Sequence, residues 1–373
     1  MKRLVVLGGS SVWTAALIEA LRPLPPMALV LMGRDPERLT ALVRLAGARL
    51  PGWTARASRD RDAALVGADA VVLQIRWGGL AARAEDESAA RALGVPADET
   101  LGPAAWSSLR RSVVHLRELG AAVQRIAPQA WLLNLVNPLG PSTALLHEAH
   151  PRTVGVCELP HTTQARAAAV LGRDPAGLDW EVVGSNHRSF LLLDSADLHA
   201  LESALGPDGR VAGVSARWIR ELGALPTKYH RLVRDPGRPG PSRAAELQGI
   251  AARVEAELLA DPERMPPSLC LRVTDWYEEG VVPMLRALLH RSDRRVVNVP
   301  GPGGLVRECL AEVSPAGITP VPCQRPVPPA VRRWMDRFEA HERAVLGALE
   351  QGDAARCHAV DPLLQAVRAA ERA

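Results

Sequence analysis

Short apolar, β-branched runs that return at intervals, each ending in a polar or glycine-containing cluster, constrain this chain more than any other feature. Residues 4–7, 28–32, 70–75, 131–136 and 153–156 are such runs, with helix-like stretches at 15–21, 36–48 and 106–126 among them. Alternating strand and helix to about residue 157 predicts a doubly wound parallel sheet, the α/β architecture of a Rossmann-type domain. In such a sheet ligands bind beyond the carboxyl ends of the strands. The polar clusters after the runs are therefore where chemistry is expected.

The first run enters Gly8-Gly9-Ser10-Ser11, a turn whose backbone N–H groups can approach a pyrophosphate. It is not a full G-x-G-x-x-G motif. The second run leads to Gly33-Arg34-Asp35. A NAD-binding fold usually has an acid there for the ribose hydroxyl, and Arg34 fits a 2′-phosphate better. After residue 75, Arg76-Trp-Gly78-Gly79 and then Arg83 with Asp86 and Glu87 read either as a substrate loop of guanidinium clamps or as a solvated helix start.

Three further clusters complete the set: Asn134 to Gly140 with Asn137-Pro138, Gly155-Val-Cys157-Glu158, and Gly184-Ser-Asn186-His187. Each is expected at the carboxyl end of a strand, with Cys157 and His187 ending adjacent strands. A thiol, a carboxylate and an imidazole so placed could meet around one ligand or metal ion. The residues alone also allow a buried free cysteine, a surface Glu158 paired with Arg188 or His161, and a hydrogen-bonded histidine.

Beyond Phe190 the pattern changes. Residues 191–193 are expected to continue the strand before them. Helices are expected at 214–222, 244–260, 281–289, 329–350 and 362–372, a loop at 234–243, and a strand and turn at 296–304. Tyr229-His-Arg231 stands out in a chain with two tyrosines.

The chain has 373 residues, a net charge of +4 and five scattered cysteines without a C-x-x-C pair. No basic block with interleaved aromatics supports nucleic-acid binding. The apolar run after Met1-Lys2-Arg3 is too short for a signal peptide or a membrane span. A cytoplasmic protein with reduced thiols is expected, with no membrane or nucleic-acid partner.

Taken in order, the glycine-serine turn, Arg76-x-Gly-Gly-x-x-x-Arg83-x-x-Asp86-Glu87, Glu99-Thr100-x-Gly102, Asn134-x-x-Asn137-Pro-x-Gly140, Gly155-x-Cys157, Gly184-x-Asn186-His187 and Tyr229-x-Arg231 resemble glycoside hydrolase family 4. These are NAD- and metal-dependent glycosidases, and the resemblance is closest to the 6-phospho-β-glucosidase branch. It implies a Rossmann-type domain over residues 1–160 and an α+β substrate- and metal-binding domain of the lactate dehydrogenase/family 4 type over 161–373. It also implies a homo-oligomer, dimer or tetramer, acting on a small sugar substrate.

The implied reaction is an oxidation-assisted elimination rather than two-carboxylate hydrolysis, for which these enzymes are an exception. Hydride leaves C3 for the dinucleotide, a base takes the C2 proton, the C1 group departs, water adds and hydride returns. By resemblance Tyr229 is the base, and Cys157 and His187 hold a divalent ion, usually manganese. Gly8, Gly9, Ser10, Ser11, Gly33, Arg34 and Asn137 would contact the cofactor, and Arg83, Asn137, Asn186 and Arg231 the sugar. The chain departs from the pattern at Gly33, which replaces the ribose-binding acid and raises NADP beside NAD. It departs at Val12, which replaces a serine, and near Leu247, where the family tends to place an arginine. Glu158 stands where phospho-β-glucosidases generally have Asn. A carboxylate there would repel a sugar phosphate, but in the α-cleaving branch it protonates the leaving group. A simple NAD(P)-dependent dehydrogenase and a catalytically altered nucleotide- or sugar-binding relative are the alternatives.

Overall fold

The computed structural model describes residues 1–372. Its first half lays down β1 (Arg3–Leu7), α1 (Thr14–Ala20), β2 (Ala28–Met32), α2 (Pro36–Arg49), β3 (Thr54–Ser58), α3 (Arg61–Leu65) and β4 (Ala70–Leu73). Two helices follow, α4 (Gly79–Ala92) and α5 (Gly102–Ile126), then β5 (Trp131–Asn134), α6 (Leu139–Ala149), β6 (Thr153–Gly155) and α7 (Leu159–Val170). Strands covered on both faces need no polar alternation, and β4 and β5 are buried at every position. Helix starts are fixed by caps: Asp35 precedes Pro36 and accepts the Arg38 N–H at 3.0 Å.

These six strands pair in parallel in the order β3-β2-β1-β4-β5-β6. That is the dinucleotide-fold order 3-2-1-4-5-6, whose topological switch lies between β1 and β4. The Rossmann-type α/β expectation is met.

The second half supplies β7 (Trp180–Ser185), β8 (Arg188–Leu193), the short pair β9 (Arg210–Val211) and β10 (Val214–Ser215), and β11 (Leu225–Pro226). Next come β12 (Asp293–Pro300), β13 (Val306–Ser314) and β14 (Gly317–Pro320), with helices Arg243–Ala260, Val282–Leu289, Pro329–Gln351 and Pro362–Glu371. Residues 293–320 do not stay in a separate layer. β12 pairs antiparallel with β6 at Asn298 and Gly155, so β12, β13 and β14 extend the first sheet to nine strands. One sheet thus runs across the 160/161 position.

Two expectations are corrected and one open alternative is decided. Residues 180–193 are not one continuing strand but an antiparallel hairpin, β7 and β8, in a separate three-stranded sheet with β11. Cys157 and His187 therefore do not end adjacent strands: one follows β6, the other is in the hairpin turn. The Arg76–Glu87 segment is helical from Gly79, so Arg83 projects from α4 and not from a loop. Among the described residues no helix is long and apolar enough to cross a membrane.

Candidate active site

The switch point is held by one glutamine. Gln74, just past β4, donates to the Gly8 carbonyl at 3.3 Å and to Thr14 Oγ1 at 2.9 Å, and accepts from the Tyr277 hydroxyl at 2.6 Å. In the glycine turn, the Gly8 and Gly9 N–H groups both donate to the Met32 carbonyl at 3.1 and 2.7 Å. Those two are therefore spent on β2. Among the described residues the Ser10 and Val12 N–H groups have no partner, so they are the donors left for a cofactor.

Position 33 has a steric reason to be glycine. A Cβ there would collide with the Ser10 side chain and lie 2.7 Å from the Ser10 nitrogen, closer than packed atoms approach. The acid expected of a ribose-binding strand cannot stand behind this turn while Ser10 does. Arg34 next to it is exposed and has no ion pair among the described residues, whereas Asp35 is spent on Arg38.

On the other side of the switch point Arg76, Arg83 and Asn137 line a cleft with the acids Asp86, Glu87, Asp98 and Glu99. Glu99 receives Arg76 at 2.5 Å, Arg83 at 2.8 Å and the Asn137 amide at 3.1 Å. Partial burial works against its charge, but Arg76, Arg83 and the nearby His187 outweigh it and bring its pKa down to about 2. Arg83 also grips Glu87 at 2.7 Å.

His187 occupies the turn between β7 and β8 with a left-handed backbone, φ 62°. Such a backbone is uncommon for a residue with a side chain, and its carbonyl is held by the Thr227 hydroxyl at 3.0 Å and Arg188 at 3.2 Å. Arg188 is itself fixed by a fully buried ion pair with Asp98 at 2.9 Å. The His187 ring is engaged at Nδ1 by Thr100 at 2.8 Å, leaving Nε2 for a ligand. Burial, with Arg188 and Lys228 adding, lowers its pKa to about 4, so the imidazole is neutral and able to coordinate.

Tyr229 brings the two halves together. Its ring stacks on His187 at 4.6 Å and packs on the cluster of Leu139, Cys157 and Leu159. Burial first, then the negative Glu99 and Asp98, push its phenol well above the usual range. Lys228 lies 5.1 Å from the ring as the nearest cation. Cys157 is buried, and burial with Glu158 and Glu308 pushes its thiol far up. A thiolate there requires a cation beside it. The Asn186 side chain reaches toward Cys157, and its Oδ1 is buried without a partner. Thiol sulfur and imidazole nitrogen, both against the Tyr229 ring, fit a divalent ion completed by ligand oxygens.

Glu158 is partly exposed, and burial raises its pKa with Lys228 opposing. The salt bridge considered for it does not form: Arg188 is taken by Asp98, and His161 accepts the Val296 N–H at 3.3 Å. Arg231, expected on the sugar, is exposed and has no hydrogen bond or ion pair among the described residues. Leu247 is buried on the helix Arg243–Ala260.

Four residues that shape the site escaped the sequence reading. Glu99 and Thr100 lay in a quoted motif without a role, which was signal enough. Asp98 and Glu308 gave none. Glu308 is fully buried on β13, where it accepts the amides of Asn298 at 3.0 Å and Asn186 at 3.2 Å. Its relation to residue 186 exists only once β12 and β13 have joined the sheet.

Residues 3–173 match the model of the family 4 glycosyl hydrolases. A probable 6-phospho-beta-glucosidase of Bacillus subtilis (strain 168) is 26% identical over 94% of this chain and 89% of its own length. The solved structure of a 6-phospho-alpha-glucosidase from gut microorganisms, in complex with NAD and Mn2+, superposes with TM-score 0.84 at 19% identity, covering 100% of this chain and 96% of that one. The 6-phospho-beta glucosidase from Thermotoga maritima, with NAD and glucose-6-phosphate, gives TM-score 0.81 at 18% identity over 100% and 98%. The family 4 glycosyl hydrolase model thus covers residues 3–173 of this chain, and the fold is shared with these solved structures over its whole length.

Proposed function

We propose that the protein is a glycosidase that cleaves a 6-phosphorylated glucoside by transient oxidation at C3 and proton removal at C2, using a nicotinamide dinucleotide and a divalent ion, manganese in the first instance. The observation that carries this reading is the meeting of Cys157, His187 and Tyr229 on one wall, beside the glycine turn of a dinucleotide fold. The relatives named as 6-phospho-glucosidases, one solved with NAD and Mn2+ and one with NAD and glucose-6-phosphate, agree with it. A simple dehydrogenase has no use for a two-ligand metal wall beside a buried tyrosine. The altered-relative reading has no specific observation in its favour.

When bound, the dinucleotide accepts and returns a hydride and the ion polarises the sugar oxygen at C3. The remaining work falls to the chain. Cys157 and His187 hold the ion, with Thr100 orienting the imidazole through Nδ1. Tyr229 takes the C2 proton, for which its raised pKa must be offset by positive charge brought with the ligands. Glu99 keeps Arg76, Arg83 and Asn137 aligned as donors to sugar hydroxyls, and Asn186 is held beside Cys157 by its amide bond to Glu308. Glu158 is placed to protonate the leaving group. Gly8 to Ser11 and Gly33-Arg34 receive the dinucleotide, with NADP accepted beside NAD because Arg34 is unpaired. Arg231 contributes at the exposed rim.

The free cysteines, none paired in the structure, support a cytoplasmic setting, and a homo-oligomer is proposed with it. Release of p-nitrophenol from its β-glucoside 6-phosphate should require both NAD and Mn2+ and stop on chelation. Undiminished cleavage after dialysis against chelator without dinucleotide would reject the reading.

A further inference from the structure

Arg272 has no anionic partner among the described residues. It follows a short turn of 3-10 helix, Pro267–Leu271, and its guanidinium lies between two indoles, 4.3 Å from the Trp13 ring and 4.9 Å from the Trp276 ring. Trp13 comes directly after the glycine turn, just before α1. Arg272 lies within electrostatic reach of Tyr277 and of Glu99, Arg83 and Arg76, which line the cleft already described, and so stands beside that cleft next to the glycine turn. Burial between the rings lowers its pKa to about 10, which leaves it a cation at neutral pH.

The carboxylates on that side are engaged elsewhere. Glu99 is bound by Arg76 and Arg83, and Glu87 by Arg83, Ser242 and the Ala244 N–H. Among the described residues Arg272 has no ion pair and no side-chain hydrogen bond. Ring stacking uses the faces of a guanidinium and leaves its in-plane N–H fork free. A half-buried, stacked and unpaired fork is the geometry that takes a tetrahedral oxyanion in bidentate fashion. Stacking also fixes the fork before the ligand arrives, so little side-chain entropy is lost on binding.

We infer that Arg272, clamped by Trp13 and Trp276, is an anion subsite that receives a phosphate of the bound ligands, either the sugar 6-phosphate or the dinucleotide diphosphate. The inference rests on the proposed function, because only that reading brings phosphates into the cleft. It gives the chain a phosphate-binding cation where Leu247 is buried and Arg231 is on the rim.

The test is calorimetric and needs no turnover. NAD alone, and glucose 6-phosphate and glucose each in the presence of NAD and Mn2+, are titrated into the parent, Arg272→Met and Arg272→Lys. Methionine can fill the slot between the indoles without charge. A sugar-phosphate contact predicts at least a tenfold loss of glucose 6-phosphate affinity in Arg272→Met, with NAD and glucose changed less than twofold. A dinucleotide contact predicts the loss on NAD with glucose 6-phosphate unchanged at saturating NAD. In either case Arg272→Lys recovers part of the loss. Unchanged affinity for both phosphates in Arg272→Met overturns the subsite and leaves the proposed function standing. So does an equal loss on all three ligands that lysine does not relieve, which marks a structural arginine. If the parent binds neither NAD nor glucose 6-phosphate, the proposed function falls and the subsite with it.

Discussion

Single atoms decide several of the properties in question. Position 33 is closed to an acid by Ser10, so the change of ribose contact is enforced by packing. Gly33→Asp alone should destabilise the protein by about 1–3 kcal/mol, the usual cost of overpacking, as read from urea midpoints. Adding Ser10→Gly removes the side-chain clash but not the 2.7 Å approach to the Ser10 nitrogen, so it should recover part of that loss and shift binding toward NAD over NADP. If Gly33→Asp is tolerated without loss, the clash is not real. The buried pair of Asp98 and Arg188 is another such point, because Arg188 fixes the turn that presents His187. Asp98→Ala strands a buried guanidinium and should cost about 3–5 kcal/mol, whereas a loss under about 1 kcal/mol would mean the pair is solvated. At Glu158 the expected signature is selective: Glu158→Gln should cleave activated aryl glycosides nearly as well as the parent and fail on alkyl glycosides, whose leaving groups need a proton. Equal loss on both would assign Glu158 to binding instead.

The elements were legible where one strand or helix carries its own signal. The runs at residues 28–32 and 131–136 became β2 and β5 because strands of a parallel sheet, covered on both faces, are apolar without a break. The hairpin of β7 and β8 was misread because Gly184-Ser-Asn186-His187 resembles a cluster closing a strand. A left-handed histidine turns the chain back on itself without the usual Asn-Gly signal. β12 and β13 joined the first sheet through pairing with β6, an event that depends on residues more than a hundred positions apart. This also explains why Cys157, Tyr229 and His187 could be named from motifs while Glu308 could not. Glu308 ties the hairpin to β12 through two amides. Glu308→Ala, which leaves both buried amides without their acceptor, should cost about 1–3 kcal/mol. A variant as stable as the parent would mean that water already satisfies them.

Across the whole molecule, the long helix Pro329–Gln351 returns to the first sheet and buries Glu342 against β13, where it accepts the Val306 N–H at 3.3 Å. Burial raises its pKa to about 7, above the ordinary 4.5. A carboxyl with a raised folded pKa stabilises fully below its unfolded value and loses that contribution as pH rises through the folded one. Relative to the parent, Glu342→Gln should therefore gain stability between about pH 4.5 and pH 7, by up to about 1.4 kcal/mol per unit. A difference independent of pH would contradict an un-ionised Glu342. The central claim is that sugar chemistry in this fold passes through loss of the C2 proton to Tyr229. The most direct measurement is cleavage of a glucoside 6-phosphate in D2O with NAD and Mn2+, followed by mass and NMR analysis of the released sugar. The account predicts deuterium at C2 with the parent, and with Tyr229→Phe neither exchange nor cleavage at the parental rate. Rapid cleavage by the parent with only hydrogen at C2 would contradict it.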